Sequence, residues 1–184
     1  DARITLRHLA THTSGITDRW EVYQRTYHWG GDAPEPLGEF LQGYLATDGK
    51  DYAKDNFLPF KPGTHREYSN IAAGLAGYIV ERAVGEKLNT YTARRIFKPL
   101  GMDRSGWLLS EIAPGAHSTL YVGQEGFSIP IQLYGITTYP DGGVRTSVLR
   151  IPGIYAPDRE GGTPRDRLQR GTPVLRAEDD VYTN

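Results

Sequence analysis

The sequence predicts a mixed α/β domain of the α+β kind, mainly helical up to Trp107 and built of short strands beyond it. Two helical patterns and one extended pattern carry this reading. Ile71, Leu75, Ile79 and Ala83 recur at every fourth position, and Leu37, Phe40, Leu41, Tyr44 and Leu45 fall at spacings of three and four. After Trp107, residues 118–122 and 127–134 alternate in the manner of strands or extended loops, and Asp141-Gly142-Gly143 marks a turn.

Taken in order, residues 5–10 read as a short helix with Leu6 and Leu9 on one side, stopped by Thr13-Ser14-Gly15. Residues 18–33 are irregular and rich in aromatic residues (Trp20, Tyr23, Tyr27, Trp29), which predicts a loop with its own packing. Pro34 and Pro36 introduce a helix over 37–46, since proline is tolerated in a first turn. A loop over 59–64 leads to Ser69 or Asn70 as the cap of the next helix, which Gly85 ends. Ala72, Ala73, Gly74, Ala76 and Gly77 keep that helix thin, so neighbours can approach it closely. A second amphipathic segment runs over 90–97 before Pro99-Leu100-Gly101 breaks it. Trp20, Trp29 and Trp107 are expected to pack, with the 20–29 loop as a candidate cleft edge.

From Arg150 onward six Arg, six Asp or Glu, four Gly and four Pro share 35 residues with few large apolar ones, the composition of an irregular or poorly ordered tail. The expected organisation is therefore a partial domain over 1–149 and a tail over 150–184. The chain opens on Asp1-Ala2-Arg3 with neither an initiator methionine nor a signal-peptide pattern, so it is expected to begin partway into a longer protein.

The 184 residues fit a single domain, and 38% hydrophobic content supports one core. A net charge of -1 favours neither nucleic acid nor an anionic membrane as partner. The most apolar stretch, 71–80, is followed by Glu81 and Arg82 and is too short to span a bilayer. No cysteine is present, which leaves reducing and oxidising compartments equally open.

Tyr68-Ser69-Asn70 is the most informative local feature. It sets a phenol, a hydroxyl and an amide at the mouth of a helix, groups that can move a proton and hold a carbonyl. The bland alternative is that Asn70 caps the helix and Tyr68 is a buried phenol with one partner. His8 and His12 stand four apart, but residue 9 is Leu and no third metal ligand is placed, so packing and capping are the favoured roles. Ser14 follows His12 and Thr13, yet Ser beside Gly at a helix end is more often turn chemistry than a nucleophile.

Ile4-Thr5-Leu6-Arg7-His8-Leu9-Ala10-Thr11-His12-Thr13-Ser14-Gly15-Ile16 resembles the core phrase of the serine β-lactamase-like hydrolases. That group includes class C β-lactamases, D-alanyl-D-alanine carboxypeptidases and related esterases. The resemblance continues, in the family's order, through Pro62-Gly63-Thr64, Tyr68-Ser69-Asn70, Val84-Gly85, residues 97–102 and residues 140–147. It covers about residues 3 to 148, the middle portion of the family's domain.

The resemblance implies a β-lactamase-like fold, of which this chain holds mainly the helical region. It implies a serine acylated from a Ser-x-x-Lys element, with Tyr68 as a catalytic partner in proton transfer and Asn70 as a substrate-binding residue. A later Lys-Thr-Gly or His-x-Gly strand completes such a site. None of the seven serines is followed by Lys at the third position, and the nucleophile element is expected upstream of Asp1. Lys61-Pro62-Gly63 and His28-Trp29-Gly30 both precede Tyr68, and neither reads as the substrate strand.

A tyrosine serves as a base only where a nearby cation lowers its pKa, so the chain by itself is expected to be inactive. The complete enzyme would take a β-lactam, a peptide or a small ester, without cofactor or metal, outside the cytoplasm. The competing expectation is a non-catalytic interaction module of the same family, or a piece of a processed enzyme. In either case the surface left bare by the missing sheet would promote self-association.

Overall fold

The computed structural model describes residues 3–124 and 126–147. The expected irregular tail over 150–184 lies outside the described residues. Among the described residues five helices alternate with single-turn elements: α1 (Leu6–Ala10), α2 (Trp20–Tyr23), α3 (Leu37–Leu45), α4 (Asn70–Val84) and α5 (Leu88–Thr92). The strands are β1 (Tyr27–Trp29), β2 (Leu120–Gln124), β3 (Phe127–Ile131) and β4 (Tyr134–Ile136). They form two antiparallel pairs, β2 with β3 and β1 with β4, the latter in register Tyr27↔Ile136 and Trp29↔Tyr134.

Helix α4 is the central element. Ser69 is its N-cap, with extended backbone and a hydroxyl that accepts from Ala72 N at 2.9 Å, and Gly85 closes it in the left-handed conformation at φ 74°. Gly85 N donates to Glu81 O, satisfying a carbonyl of the last turn. The core packs Ile71 and Ala72 of α4 against Leu9 of α1, Leu37, Phe40, Leu41 and Tyr44 of α3, and Ile16, Val22 and Tyr23. A smaller cluster of Phe97, Leu100 and Met102 lies beyond α5 with Ile96 and Trp107.

The thin face of α4 is its deeply buried one: Gly74 and Gly77 are buried, whereas Leu75 and Ile79 are only partly so. The four-residue apolar stripe is thus not the deepest contact. Small residues let the turn Tyr139–Asp141 and its cap Thr138 seat directly on the helix, Thr138 within 3.4 Å of where a Gly74 Cβ would stand and Pro140 within 2.4 Å of a Gly77 Cβ. Glu81, also buried, accepts from Leu88 N at 3.0 Å and from the Tyr139 hydroxyl, so it joins α4, α5 and that turn.

Three expectations need correction. The 18–33 segment is not only loop, because it contains α2 and β1, and β1 pairs with a strand more than a hundred residues later, a partner that local pattern cannot reveal. The second amphipathic segment begins at Leu88 and passes from α5 into a wide π-type turn at Ala93–Phe97, where Lys98 N reaches back to Ala93 O at 2.9 Å. Trp20 and Trp29 are 64% and 57% exposed rather than packed; among the three tryptophans only Trp107 packs inward, its Nε1 donating to Thr92 Oγ1 at 2.7 Å. Trp29 ends a three-residue strand, where its ring and that of Tyr134 meet at a steep angle with centroids 5.2 Å apart.

Candidate active site

Residues 12–18 and 63–70 bring the candidate site together. Thr13 O accepts from Gly63 N and His12 O from Glu67 N, each at 2.8 Å, so the loop before α4 is laid along the exit of α1. His12 holds a left-handed φ of 55°, which is uncommon for a residue with a side chain. Its ring lies 4.5 Å from that of Tyr68, and its Nδ1 accepts from Ser69 N at 3.3 Å. Gly63, at φ 89°, makes the turn this path needs.

Tyr68 is 55% exposed, and its hydroxyl donates to Asn70 Oδ1 at 3.0 Å. Ser69, not Asn70, is the cap; Asn70 is the first helical residue, so its amide is not consumed in capping. The bland alternative required a buried phenol and a capping amide, and neither is what the geometry has. The structure therefore brings Tyr68 and Asn70 together as a hydrogen-bonded pair, the phenol exposed and the amide partly buried. Ser69 is fully buried, with Oγ donating to Asp18 Oδ1 at 2.7 Å while accepting from Ala72 N, which removes it as a nucleophile.

Sequence reasoning missed Asp18. Its Oδ1 accepts from Ser69 Oγ and from Ile71 N at 3.1 Å, and its Oδ2 from Asn70 N at 2.7 Å and Asn70 Nδ2 at 2.8 Å. Helix α4 has no acidic residue in its first turn, and that absence was the available signal. A helix N-terminus concentrates unpaired N–H groups and partial positive charge, so an anion from elsewhere had to meet it.

The other sequence candidates find ordinary partners. Ser14 is buried, and its Oγ accepts from Ile16 N at 3.2 Å within the turn. His8 closes a capping box on α1, its Nδ1 accepting from Thr5 N at 3.3 Å. His28 of His28-Trp29-Gly30 shares a hydrogen bond with Thr137 Oγ1 at 2.9 Å in the β1–β4 pair. A groove of about 460 Å³ lined by Pro36, Gly38, Tyr78, Glu81 and Lys87 opens at the opposite end of α4 and takes no part in this site.

Asp141 borders the site from the turn above α4. Burial pushes its carboxyl up to about 6 against an ordinary 3.8, and the neighbouring Asp18 charge adds to this, while hydrogen bonds from Thr138 Oγ1 and the Tyr23 hydroxyl oppose it. Between those two values the folded chain holds a proton that the unfolded chain has released. This contribution to stability is full below pH 3.8 and is lost as pH rises through 6. Asp141→Asn keeps an acceptor for Thr138 and Tyr23 but cannot titrate. Its melting temperature is expected to vary less than the wild type's between pH 4 and 7 and to exceed it above pH 6; parallel curves for the two proteins would disprove this.

Comparison with known structures places the fold first. The chain superposes on the penicillin-binding protein from Bacillus halodurans with TM-score 0.61 at 24% identity, over 96% of this chain and 53% of that one. It matches the octameric penicillin-binding protein homologue from Pyrococcus abyssi with TM-score 0.58 at 24% identity, over 91% and 38%. A class C β-lactamase in complex with cefoxitin aligns with TM-score 0.61 at 18% identity, over 90% and 41%. The fold is thus the mixed helix-and-strand fold of penicillin-binding proteins and class C β-lactamases.

The family model for Beta-lactamase matches residues 1–171, and the chain belongs to that family. The match continues past residue 149, beyond the described residues. A curated relative, an inferred D-alanyl-D-alanine carboxypeptidase of Escherichia coli (strain K12), is 30% identical over 82 residues, 41% of this chain and 19% of its own length. The chain therefore spans about a fifth of that relative and between 38% and 53% of the solved structures named above.

Proposed function

We propose that the chain is the central portion of a serine hydrolase that acts through an acyl-enzyme on β-lactams, D-Ala-D-Ala peptides or small esters. The hydrogen-bonded Tyr68–Asn70 pair carries this reading. Tyr68 assists proton transfer and Asn70 orients the substrate carbonyl. These roles draw on the family resemblance, and the exposure of Tyr68 and its hydrogen bond to Asn70 support them. The nucleophile and its lysine belong to a segment other than residues 1–149, and the protein works in the periplasm or is secreted.

A nucleophilic hydroxyl must be reachable as well as activated; Ser14 and Ser69 are both buried, the first accepting within its turn and the second capping α4 with its hydrogen given to Asp18. Incubation of the 184-residue chain with a chromogenic cephalosporin and a nitrophenyl ester should therefore give background rates. A covalent adduct with a penicillin or fluorophosphonate probe would overturn the proposal for this chain. In a protein that also carries the Ser-x-x-Lys element, Tyr68→Phe should lower acylation by about 10²–10⁴-fold, the usual contribution of a positioned acid–base group. An unchanged acylation rate would remove Tyr68 from the mechanism.

One observation favours a second reading, that of an interaction module. In the β2–β3 hairpin Val122 stands opposite Ile129, and Leu120 opposite Ile131, with Phe127 73% exposed at the turn end. An apolar ladder of this kind is uncommon on a monomer's surface. The Pyrococcus abyssi homologue is octameric. Light scattering that shows a clean monomer at high concentration would exclude self-association through the hairpin.

A further inference from the structure

We propose that Asp18 is a positioning residue that fixes the side-chain amide of Asn70 and thereby sets the direction of the Tyr68–Asn70 hydrogen bond. The proposal rests on the reading of Tyr68 and Asn70 as site residues. Asp18 Oδ2 receives both the backbone N and the side-chain Nδ2 of Asn70, at 2.7 and 2.8 Å, so one oxygen grips the residue at two points. A carboxylate offers acceptors only, and so it selects the Nδ2 edge of the amide over the Oδ1 edge. Oδ1 is left facing Tyr68, which must then be the donor, as observed at 3.0 Å.

The consequence is a defined polarity. The neutral phenol points its hydrogen at Asn70, and the second Nδ2 hydrogen stays available for a carbonyl. Were the amide to flip, Asn70 would donate to the phenol and present an acceptor where a substrate carbonyl needs a donor.

Asp18 can impose this because its own segment is clamped on both sides. The fully buried Tyr44 hydroxyl accepts from Arg19 N and donates to Thr17 O, both at 2.9 Å. Thr17 N bonds to Asn56 O at 3.0 Å and Thr17 Oγ1 to Asp55 O at 2.9 Å. The remaining oxygen, Oδ1, is held by Ser69 Oγ and Ile71 N, so neither carboxylate oxygen is free to turn away.

The test is a ¹⁵N–¹H spectrum of the whole chain labelled at asparagine, with the Asn70 side-chain signals assigned by their loss in Asn70→Asp. The wild-type amide should exchange slowly. Asp18→Asn retains a cap-competent side chain but replaces one acceptor oxygen with a donor, and should speed Asn70 amide exchange by about tenfold or more. Ser69→Ala removes the N-cap hydroxyl yet leaves the Asp18 Oδ2 contacts, and should lower the melting temperature without changing the Asn70 amide. An Asn70 amide unaffected by Asp18→Asn, or perturbed as much by Ser69→Ala, would reduce Asp18 to a helix cap and overturn the proposal. Should Asp18→Asn not fold, fast exchange of the amide in the wild-type chain would overturn it alone. No substrate enters this measurement, so its failure leaves the hydrolase reading standing, and a failure of the acylation test leaves the clamp standing.

Discussion

Asp18→Ala is expected to destabilise the chain by about 2–4 kcal/mol, because four donors lose a charged acceptor together. Two of these are backbone N–H groups of the first turn of α4, which no side chain within that turn can replace with an anion. The loss of a negative charge at the positive end of a fifteen-residue helix adds to the effect. Asp18 is only partly buried, so water recovers a share of these bonds, and the estimate stays below the sum of four charged hydrogen bonds. For a chain of this size the melting temperature should fall by about 5–15 °C. Asp103→Ala, at an exposed position, should stay within about 0.5 kcal/mol of wild type. A loss below about 1 kcal/mol at Asp18 would mean that α4 does not depend on this anion.

Asp18 also shows where the sequence stopped being readable. Helix α4 was legible because each of its signals is local: a Pro/Gly loop, a serine cap, a four-residue period and a glycine in the left-handed region at its end. Helix α3 was legible for the same reason, with proline before it and a regular apolar face. Tyr68 and Asn70 could be singled out by type and position, but their geometry depends on residues with no periodic relation to them. Asp18 lies 52 residues before Asn70, and His12 lies 57 before Ser69. A lone aspartate and a lone histidine in irregular stretches carry no signal until the chain is folded. The β1–β4 pair failed for the same reason: three residues at 27–29 cannot show that their partners lie at 134–136. Local chemistry announces elements, whereas sites and short sheets are made by closure between distant segments.

Gly77→Ala tests the opposite kind of residue, one whose local and global roles conflict. Helix propensity alone favours the substitution by about 1 kcal/mol, since glycine is costly in a helix interior. The packing forbids it. A Cβ at position 77 would stand 2.4 Å from Pro140 Cβ, 2.6 Å from Pro140 Cγ and 3.2 Å from Leu88 Cδ2. Pro140 cannot retreat freely, because its turn is held by Asp141 N on Thr138 O and Gly143 N on Tyr139 O, and by the Tyr139 hydroxyl on Glu81. Overpacking against so fixed a neighbour costs more than the propensity gained, for a net loss of about 1–3 kcal/mol. Gly74→Ala is the matched comparison on the same face: its Cβ would meet Thr138 at 3.4 Å and Leu37 at 3.8 Å, ordinary van der Waals contact, so helix propensity should prevail and stabilise the variant by up to about 1 kcal/mol. Chemical denaturation of the two variants separates the effects, and equal stabilities would show that propensity rather than contact with the 139–141 turn governs α4. The same displacement would carry Asp141 away from Tyr23 and Asp18, so Gly77→Ala should also weaken the pH dependence that Asp141 confers.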